Sequence, residues 1–514
     1  MLVPSRGDSS PLRATAPRFD LLVVALAVFA AGALATLASA STLLILVAIA
    51  IAAAAAVAVP GRYRLGAVLG LLIVCGLDVF PGTDLDALVV TSGFHAQDLV
   101  VASLCACLLV DNVRHSFGGL FRARVGVALI IVSLLIITWW LIILYRTDTE
   151  QLYPLSTDAN FGRDFLTFAV MTPLFAGSLQ RRAVRDATLV AVACGAVVAA
   201  LFYFVGTLAH VSGVTYLIHL TAVRQVNGST RLYAPVEDLF GAALPLGAGA
   251  LLLGSTQKTR AIGAVVAIVS LAAIVAELTR AQYIGSGGGL AIAAVVWTGR
   301  AGSGNSRIRR LARQRLFTNV AVVVIAVAAV VAVSPEGKVA DALSAAGSRL
   351  GSVVATATSG NTATSTVAVR LSELSLLEQR LGSHELLGLG FIDPRDQYDP
   401  SLPFGSIRNS DVGFVNVTMT MGIVGTVLYY LPLFLVVLGL GARGREMWPD
   451  DVGWLGFGTF AWTVTALITS VTLVTLYSPT GVVSSAAMLG LGAVVLVRSR
   501  QSATSRVQAP LMES

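Results

Sequence analysis

The chain has 514 residues, of which 56% are hydrophobic and only 12% charged, with a formal net charge of +7. Soluble domains carry roughly 25% charged residues, so this composition excludes a soluble globular protein and defines a polytopic membrane protein. The excess positive charge is distributed as membrane topology requires, which removes the case for a nucleic-acid partner.

Residues 1–19 form a polar tail with Arg6, Arg13 and Arg18 and without the pattern of a cleavable signal. Fourteen apolar stretches follow, at about 20–38, 42–59, 64–80, 97–111, 125–145, 164–179, 187–209, 238–256, 261–278, 281–298, 317–333, 416–440, 452–474 and 480–497. A span needs ~20 apolar residues, so the fourth and sixth are short enough to be re-entrant. Pro173 and Pro245 fall inside spans and are expected to kink them. Cys75, Cys105, Cys107 and Cys194 all lie in apolar stretches and read as small core residues. The expected fold is an all-α polytopic membrane protein with about 12–14 transmembrane helices. The domains are a cytoplasmic tail 1–19, helices in 20–333, an extracytoplasmic loop 334–410, helices in 411–498 and a second cytoplasmic tail 499–514.

Placing the N-terminus inside and alternating puts 24 of the 35 Lys and Arg residues on inside segments, with at least two on every such segment. Both termini are then cytoplasmic in a plasma membrane. Ten of the eleven basic residues left outside are arginines, Arg146, Arg163, Arg224, Arg231, Arg280 and Arg370 among them. The loop opens with a linker rich in Ala, Ser, Thr and Gly. It then reads as an amphipathic helix over 366–381, with Arg370 inside its apolar stripe.

Arginine suits phosphate because its planar fork donates bidentate hydrogen bonds and keeps its charge. Several arginines at an outer membrane boundary would hold a lipid-linked diphosphate and stabilise it as a leaving group. For Arg280 the competing role is snorkelling to headgroups, for Arg224 and Arg231 a solvated loop, and for Arg370 a headgroup contact. Asp411, at the end of the loop, is either a helix cap or a general base for a sugar hydroxyl, and His384 is the rival base. Glu237 and Asp238 are expected mainly as caps of their helix. The glycines at 285–289 allow close helix approach. The histidines are scattered without ligand spacing, so neither metal nor cofactor is expected.

Four stretches together resemble the O-antigen ligase and O-antigen (exopolysaccharide) polymerase superfamily of bacterial membrane proteins. They are Arg231-Leu232-Tyr233-Ala234-Pro235, then Thr279-Arg280-Ala281-Gln282-Tyr283, then Arg370 with the downstream Gly388-Leu389-Gly390, and finally Ser410-Asp411-Val412-Gly413-Phe414 with Gly422 and Gly425 beyond. The likeness covers about 225 to 440, and the first half only by topology. It implies a glycosyltransferase that moves a glycan from a polyprenyl-diphosphate donor to an acceptor hydroxyl without nucleotide sugar or metal. It also implies diphosphate contacts for Arg231, Arg280 and Arg370, among which Arg280 and Arg370 are taken with Asp411 as catalytic. Arg224, Tyr233, Tyr283 and His384 complete the candidate substrate contacts. Ligases of this group carry a histidine where this chain has Asp411, and many polymerases carry an aspartate, which favours polymerase. The alternatives are a transporter or lipid-linked oligosaccharide flippase without chemistry, and a structural subunit of a cell-wall assembly complex. The apparent lack of an internal repeat weakens the transporter.

Overall fold

A computed structural model describes residues 89–149, 155–213, 222–300, 381–391, 413–443, 452–471 and 479–508, apart from single positions and pairs between elements. The four expected spans at 20–38, 42–59, 64–80 and 317–333, most of the loop helix over 366–381, and the residues Arg370 and Asp411 lie outside the described residues.

Each apolar stretch expected in the described region is helical. In chain order the helices are α1 (Ala96–Arg114), α2 (Arg124–Thr149), α3 (Leu155–Ser178), α4 (Arg182–Ser212), α5 (Glu237–Leu253), α6 (Gln257–Glu277), α7 (Arg280–Arg300), α8 (Gly413–Arg443), α9 (Gly453–Ser470) and α10 (Pro479–Gln508). Two antiparallel hairpins accompany them: β1 (Val89–Thr91) with β2 (Phe94–His95), and β3 (Ala222–Val226) with β4 (Ser229–Tyr233). Five helices are long and apolar enough to cross a membrane, and α5 and α7 contain shorter apolar helices. This is a helical membrane protein. The fourth and sixth stretches become helices of 19 and 24 residues, longer than their apolar cores. Asp111 and Asn112 at one end of α1, and Asp158 and Arg163 in α3, interrupt hydropathy without interrupting the helix.

Burial sorts the helices. The apolar window of α10 is 89% buried, whereas those of α2, α4, α6 and α8 are 28–39% buried. Leu134, Leu141, Leu201, Leu208, Val265 and Leu438 are large, apolar and exposed on those outer helices. In water such faces would be a liability, but against lipid tails they are solvated. This corrects one expectation: Cys194 is exposed on α4 and not a core residue. An apolar position in a membrane helix has two apolar environments available, and hydropathy does not separate them.

Without a hydrophobic drive between helices, close packing and interhelical hydrogen bonds hold the bundle. Gly285 and Gly289 on α7 lie against Thr465, Thr469 and Ala461 of α9, the close approach expected of the glycine run. Gly247 of α5 meets the backbone of Gly263 and Ala267 on α6, and Gly249 meets Trp454 and Gly458 on α9. Between α1 and α3, the buried Asn112 amide donates to the Leu174 carbonyl at 2.8 Å and to Ser178 Oγ at 2.9 Å. Interhelical side-chain bonds in membranes are worth about 1 kcal/mol each. Asn112→Leu should therefore lower stability by about 1–2 kcal/mol, measured as the unfolding midpoint in detergent, with the helix content unchanged.

These contacts fix which helix ends lie together. The starts of α1, α3, α5, α7, α8 and α10 share one end of the bundle with the ends of α2, α4, α6 and α9. The opposite end is rich in cations. There Arg181 pairs with Asp111 and donates to His115 Nε2 at 2.9 Å, and Arg182 pairs with Asp186 at 3.6 Å. That is the end which the Lys/Arg count assigns to the cytoplasm.

Candidate functional site

The first feature of the end away from these cations is a broken helix. Gly422 in α8 has φ 68 and ψ −177, a conformation open essentially to glycine alone. Proline was expected to mark the irregular helices, yet Pro173 and Pro245 lie inside theirs and the break comes here. Leaving helical geometry at Gly422 releases the carbonyls of Met419, Thr420 and Met421 and the amide of Ile423. All four find partners outside the helix. Leu389 N–H donates to the Met419 carbonyl (2.7 Å) and Gly390 N–H to the Thr420 carbonyl (3.1 Å). The indole of Trp139 on α2 donates to the Met421 carbonyl (2.9 Å), and Ile423 N–H donates to the Glu385 carbonyl (2.9 Å). The Thr418 and Thr426 hydroxyls bond to each other across the break at 2.9 Å.

The loop segment 385–391 is thus docked into α8 by main-chain hydrogen bonds. Gly388 has φ 73, and a Cβ there would meet the backbone of Gly422 and Thr420. The buried Arg146, near the end of α2, donates to the Gly388 carbonyl at 2.5 Å. Phe391 is fully buried with its ring centroid 5.3 Å from that of Phe165 and 6.4 Å from that of Trp140. Leu381, the last residue of the expected loop helix, packs on Val415 and Met419. The 21 residues of α8 after Gly422 are by themselves long enough to cross a bilayer. The span expected at 416–440 lies within this helix, whose residues Gly413–Ala442 are long and apolar enough to cross a membrane.

The second feature is a cleft between helix starts. Asp238 and Gly241 from α5, Gln282 and Ser286 from α7, and Ser484 and Ser485 from α10 line it, with Trp462, Thr465 and Thr469 from α9 opposite. Three helix N-termini converge there because α5, α7 and α10 run parallel around the antiparallel α9. Gln282 and Ser286 are each 4% exposed and Thr465 is 5% exposed. Gln282 Oε1, Ser286 Oγ and Thr465 Oγ1 have no hydrogen-bond partner among the described residues. An unsatisfied buried polar group costs about 1–3 kcal/mol, so three lining one cleft mark it as built to hold something polar.

The predicted residues distribute as follows. Arg280 is the first residue of α7, two positions before Gln282. Arg231 belongs to strand β4, which leads into α5 and so to Asp238. Arg224 was a candidate substrate contact, with a solvated loop as its competing role. It lies on β3 directly opposite Arg231, one rung of the ladder, while Tyr233 pairs with Ala222. The signal for this hairpin is Asn227-Gly228 between two runs containing valine, leucine and threonine, the favoured two-residue hairpin connection. Tyr283 lies in the first turn of α7. His384 ends the 3₁₀ turn Gly382–His384, half-buried, and its carbonyl accepts from Gly388 N–H at 2.7 Å. Glu237 and Asp238 do not cap α5: Val236 holds the N-cap position without a side-chain bond, and the two acids fall in the first turn. There they complement the helix dipole instead. Two of the resembling stretches, Gly388-Leu389-Gly390 and Gly422 with its neighbours, are brought into direct contact. Of the other two, Arg231–Pro235 precedes α5, one wall of the cleft, and Thr279–Tyr283 contributes Gln282 to another. Arg146 is one of the outer arginines by charge placement, and nothing else in the sequence assigns it a role. A lone arginine a turn or two beyond the adjacent Trp139 and Trp140 near a span's end was the available signal.

The fold and these two features define a helical membrane protein with a polar cleft and a docked loop at one end of its bundle. No protein-family model and no curated protein matches the chain.

Proposed function

We propose that the chain is a polyprenyl-diphosphate-dependent membrane glycosyltransferase, a polysaccharide polymerase or O-antigen ligase-like enzyme. It works at the extracytoplasmic face of the plasma membrane, with both termini in the cytoplasm and 12–14 spans in all. What supports this reading is that arginines open or precede two of the helices that line one polar cleft. Arg224 and Arg231 occupy opposed register positions, an arrangement that like charges disfavour unless an anion relieves it. Their hairpin leads into α5 and Arg280 opens α7, both of which line the cleft.

On this reading Arg231, Arg280 and Arg370 hold the diphosphate. The acceptor hydroxyl oxygen attacks the anomeric carbon as the bond from that carbon to the diphosphate oxygen breaks. The hydroxyl proton passes to the Asp411 carboxylate, and the diphosphate departs on its lipid. A single displacement inverts the anomeric configuration. The arginines stabilise the charge that develops on the leaving group, the term that contributes most in such sites. The glycan donor, a glycan or lipid-linked acceptor and the surrounding lipids are the partners.

The break at Gly422 and the buried polar cleft favour a second reading, a flippase that carries the lipid-linked glycan without chemistry. One complementation experiment separates the two. In a deletion strain, Arg280→Ala, Arg370→Ala and Asp411→Asn at normal expression should lose long polymer and strand precursor on the outer leaflet. Precursor stranded on the inner leaflet would instead establish transport. Wild-type polymer from both arginine variants would remove the diphosphate-binding role.

A further inference from the structure

We propose that the cation-rich end of the bundle holds a phosphate group, either the headgroup phosphate of an anionic lipid or free phosphate. It sits on Arg185, between the turn from α3 to α4 and the end of α10. The site lies at the other end of the bundle from the cleft and is independent of glycan transfer.

The floor of the site is a buried cation without a counter-ion. Arg185 closes the first turn of α4 and is 4% exposed. A guanidinium keeps its charge at any relevant pH. Its Nη1 has no hydrogen-bond partner, and Arg185 forms no ion pair among the described residues. The two carboxylates beside it are engaged elsewhere: Asp111 pairs with Arg181, and Asp186 with Arg182. The charge that acts most strongly on Arg185 is another cation, Arg498 of α10, and the two repel. Arg498 is held at the α3–α4 turn, where it donates to the Gln180 carbonyl at 3.5 Å. A charge buried without an opposite one is among the costliest arrangements in a fold. A like charge beside it adds to that cost, and an anion removes both.

The helix start points the same way. The N-cap position of α4 is Arg181, which makes no side-chain capping bond, and the first turn carries no acid. The opening amides of the helix therefore lack acceptors within it. A helix start favours anions and disfavours cations. Yet this one opens on Arg181, Arg182 and Arg185. Arg498, near the end of α10, complements its own helix dipole, whereas the three arginines of α4 oppose theirs. An anion bound here would serve the amides and the guanidinium groups together.

Phosphate has the right form. It carries enough oxygens to meet two planar forks at once, which a single carboxylate does not. Headgroup phosphates also lie at the depth of helix ends, and basic pockets between membrane helices bind them. The Arg182 side chain is 80% exposed and Arg498 is half-buried, so the mouth opens to the surface above Arg185.

The test uses the full-length chain, purified in dodecyl maltoside and stripped of bound lipid. Unfolding is followed with dioctanoyl phosphatidylglycerol, with dioctanoyl phosphatidylcholine, or with inorganic phosphate at constant ionic strength. At roughly a hundred times its dissociation constant, the ligand should lower the wild-type unfolding constant about a hundredfold. A response to phosphatidylglycerol and not to inorganic phosphate assigns the site to a lipid headgroup; a response to inorganic phosphate assigns it to the free anion. Arg185→Met should lose the response. Without ligand it should be at least as stable as the wild type, because no unpaired charge is left buried. Arg124→Gln removes an exposed charge from the same end, at the start of α2, and should keep the full response. Should Arg185→Met fail to fold, Arg498→Gln should weaken the apparent affinity about tenfold or more. An equal response to phosphatidylcholine, an undiminished response in the folded variants, or no response in the wild type overturns the site. The last is also the result expected if a carboxylate of the chain itself sits on Arg185. No readout involves transfer, so each of these failures leaves the transferase reading untouched.

Discussion

Gly422→Ala should undock the loop from the helix it completes. At φ 68 and ψ −177 an alanine is strained by about 1–3 kcal/mol, and its Cβ would meet the Leu386 carbonyl. The strain is relieved by returning α8 to regular helix. Then Met419, Thr420 and Ile423 bond within α8, and the amides of Leu389 and Gly390 lose their acceptors. Hydrogen exchange across 385–391 should accelerate between about fivefold and about 150-fold, the factor that a loss of 1–3 kcal/mol implies. Gly388→Ala should do the same from the other side, because its φ is 73 and it faces the same backbone. Gly287→Ala is the control: it lies in a helix with open space around it and should be neutral or slightly stabilising. Unchanged exchange in Gly422→Ala would mean that the docking does not depend on the break.

The second large effect is on chemistry. Arg280→Ala should reduce glycan transfer by about 10²–10³, the usual cost of removing one positioned donor from a developing oxyanion. Arg280→Lys keeps the charge and loses the planar fork, so it should recover only part of that rate. Because Arg280 is the first residue of α7, neither change interrupts the helix. The unfolding midpoint should stay within the wild-type range, which separates a lost contact from a lost fold. Transfer by Arg280→Ala at the wild-type rate would show that the residue serves only the membrane boundary.

The spans were legible because their signal is length and hydropathy, which need no partner. Even α1 and α3, whose apolar cores were short, lay where their stretches predicted. The break at Gly422 was not legible. Gly422-Ile423-Val424-Gly425 sits in a continuous apolar run, and its helical bonds are replaced by a segment more than thirty residues earlier, Glu385 to Gly390. Proline pointed elsewhere because a lone proline distorts a helix without requiring a partner, whereas a glycine break needs one. The cleft was half legible. Arg231 and Arg280 marked the helix starts that line it, but Gln282, Ser286 and Thr465 are ordinary residues until the fold buries them side by side without partners.

The most direct measurement reconstitutes the purified chain in liposomes with a polyprenyl-diphosphate-linked glycan, an acceptor glycan and no nucleotide sugar. Lengthened product with inverted linkage and one carrier diphosphate freed for each transfer is the predicted result. A donor that stays intact, whether left in place or merely moved to the opposite leaflet, would contradict it.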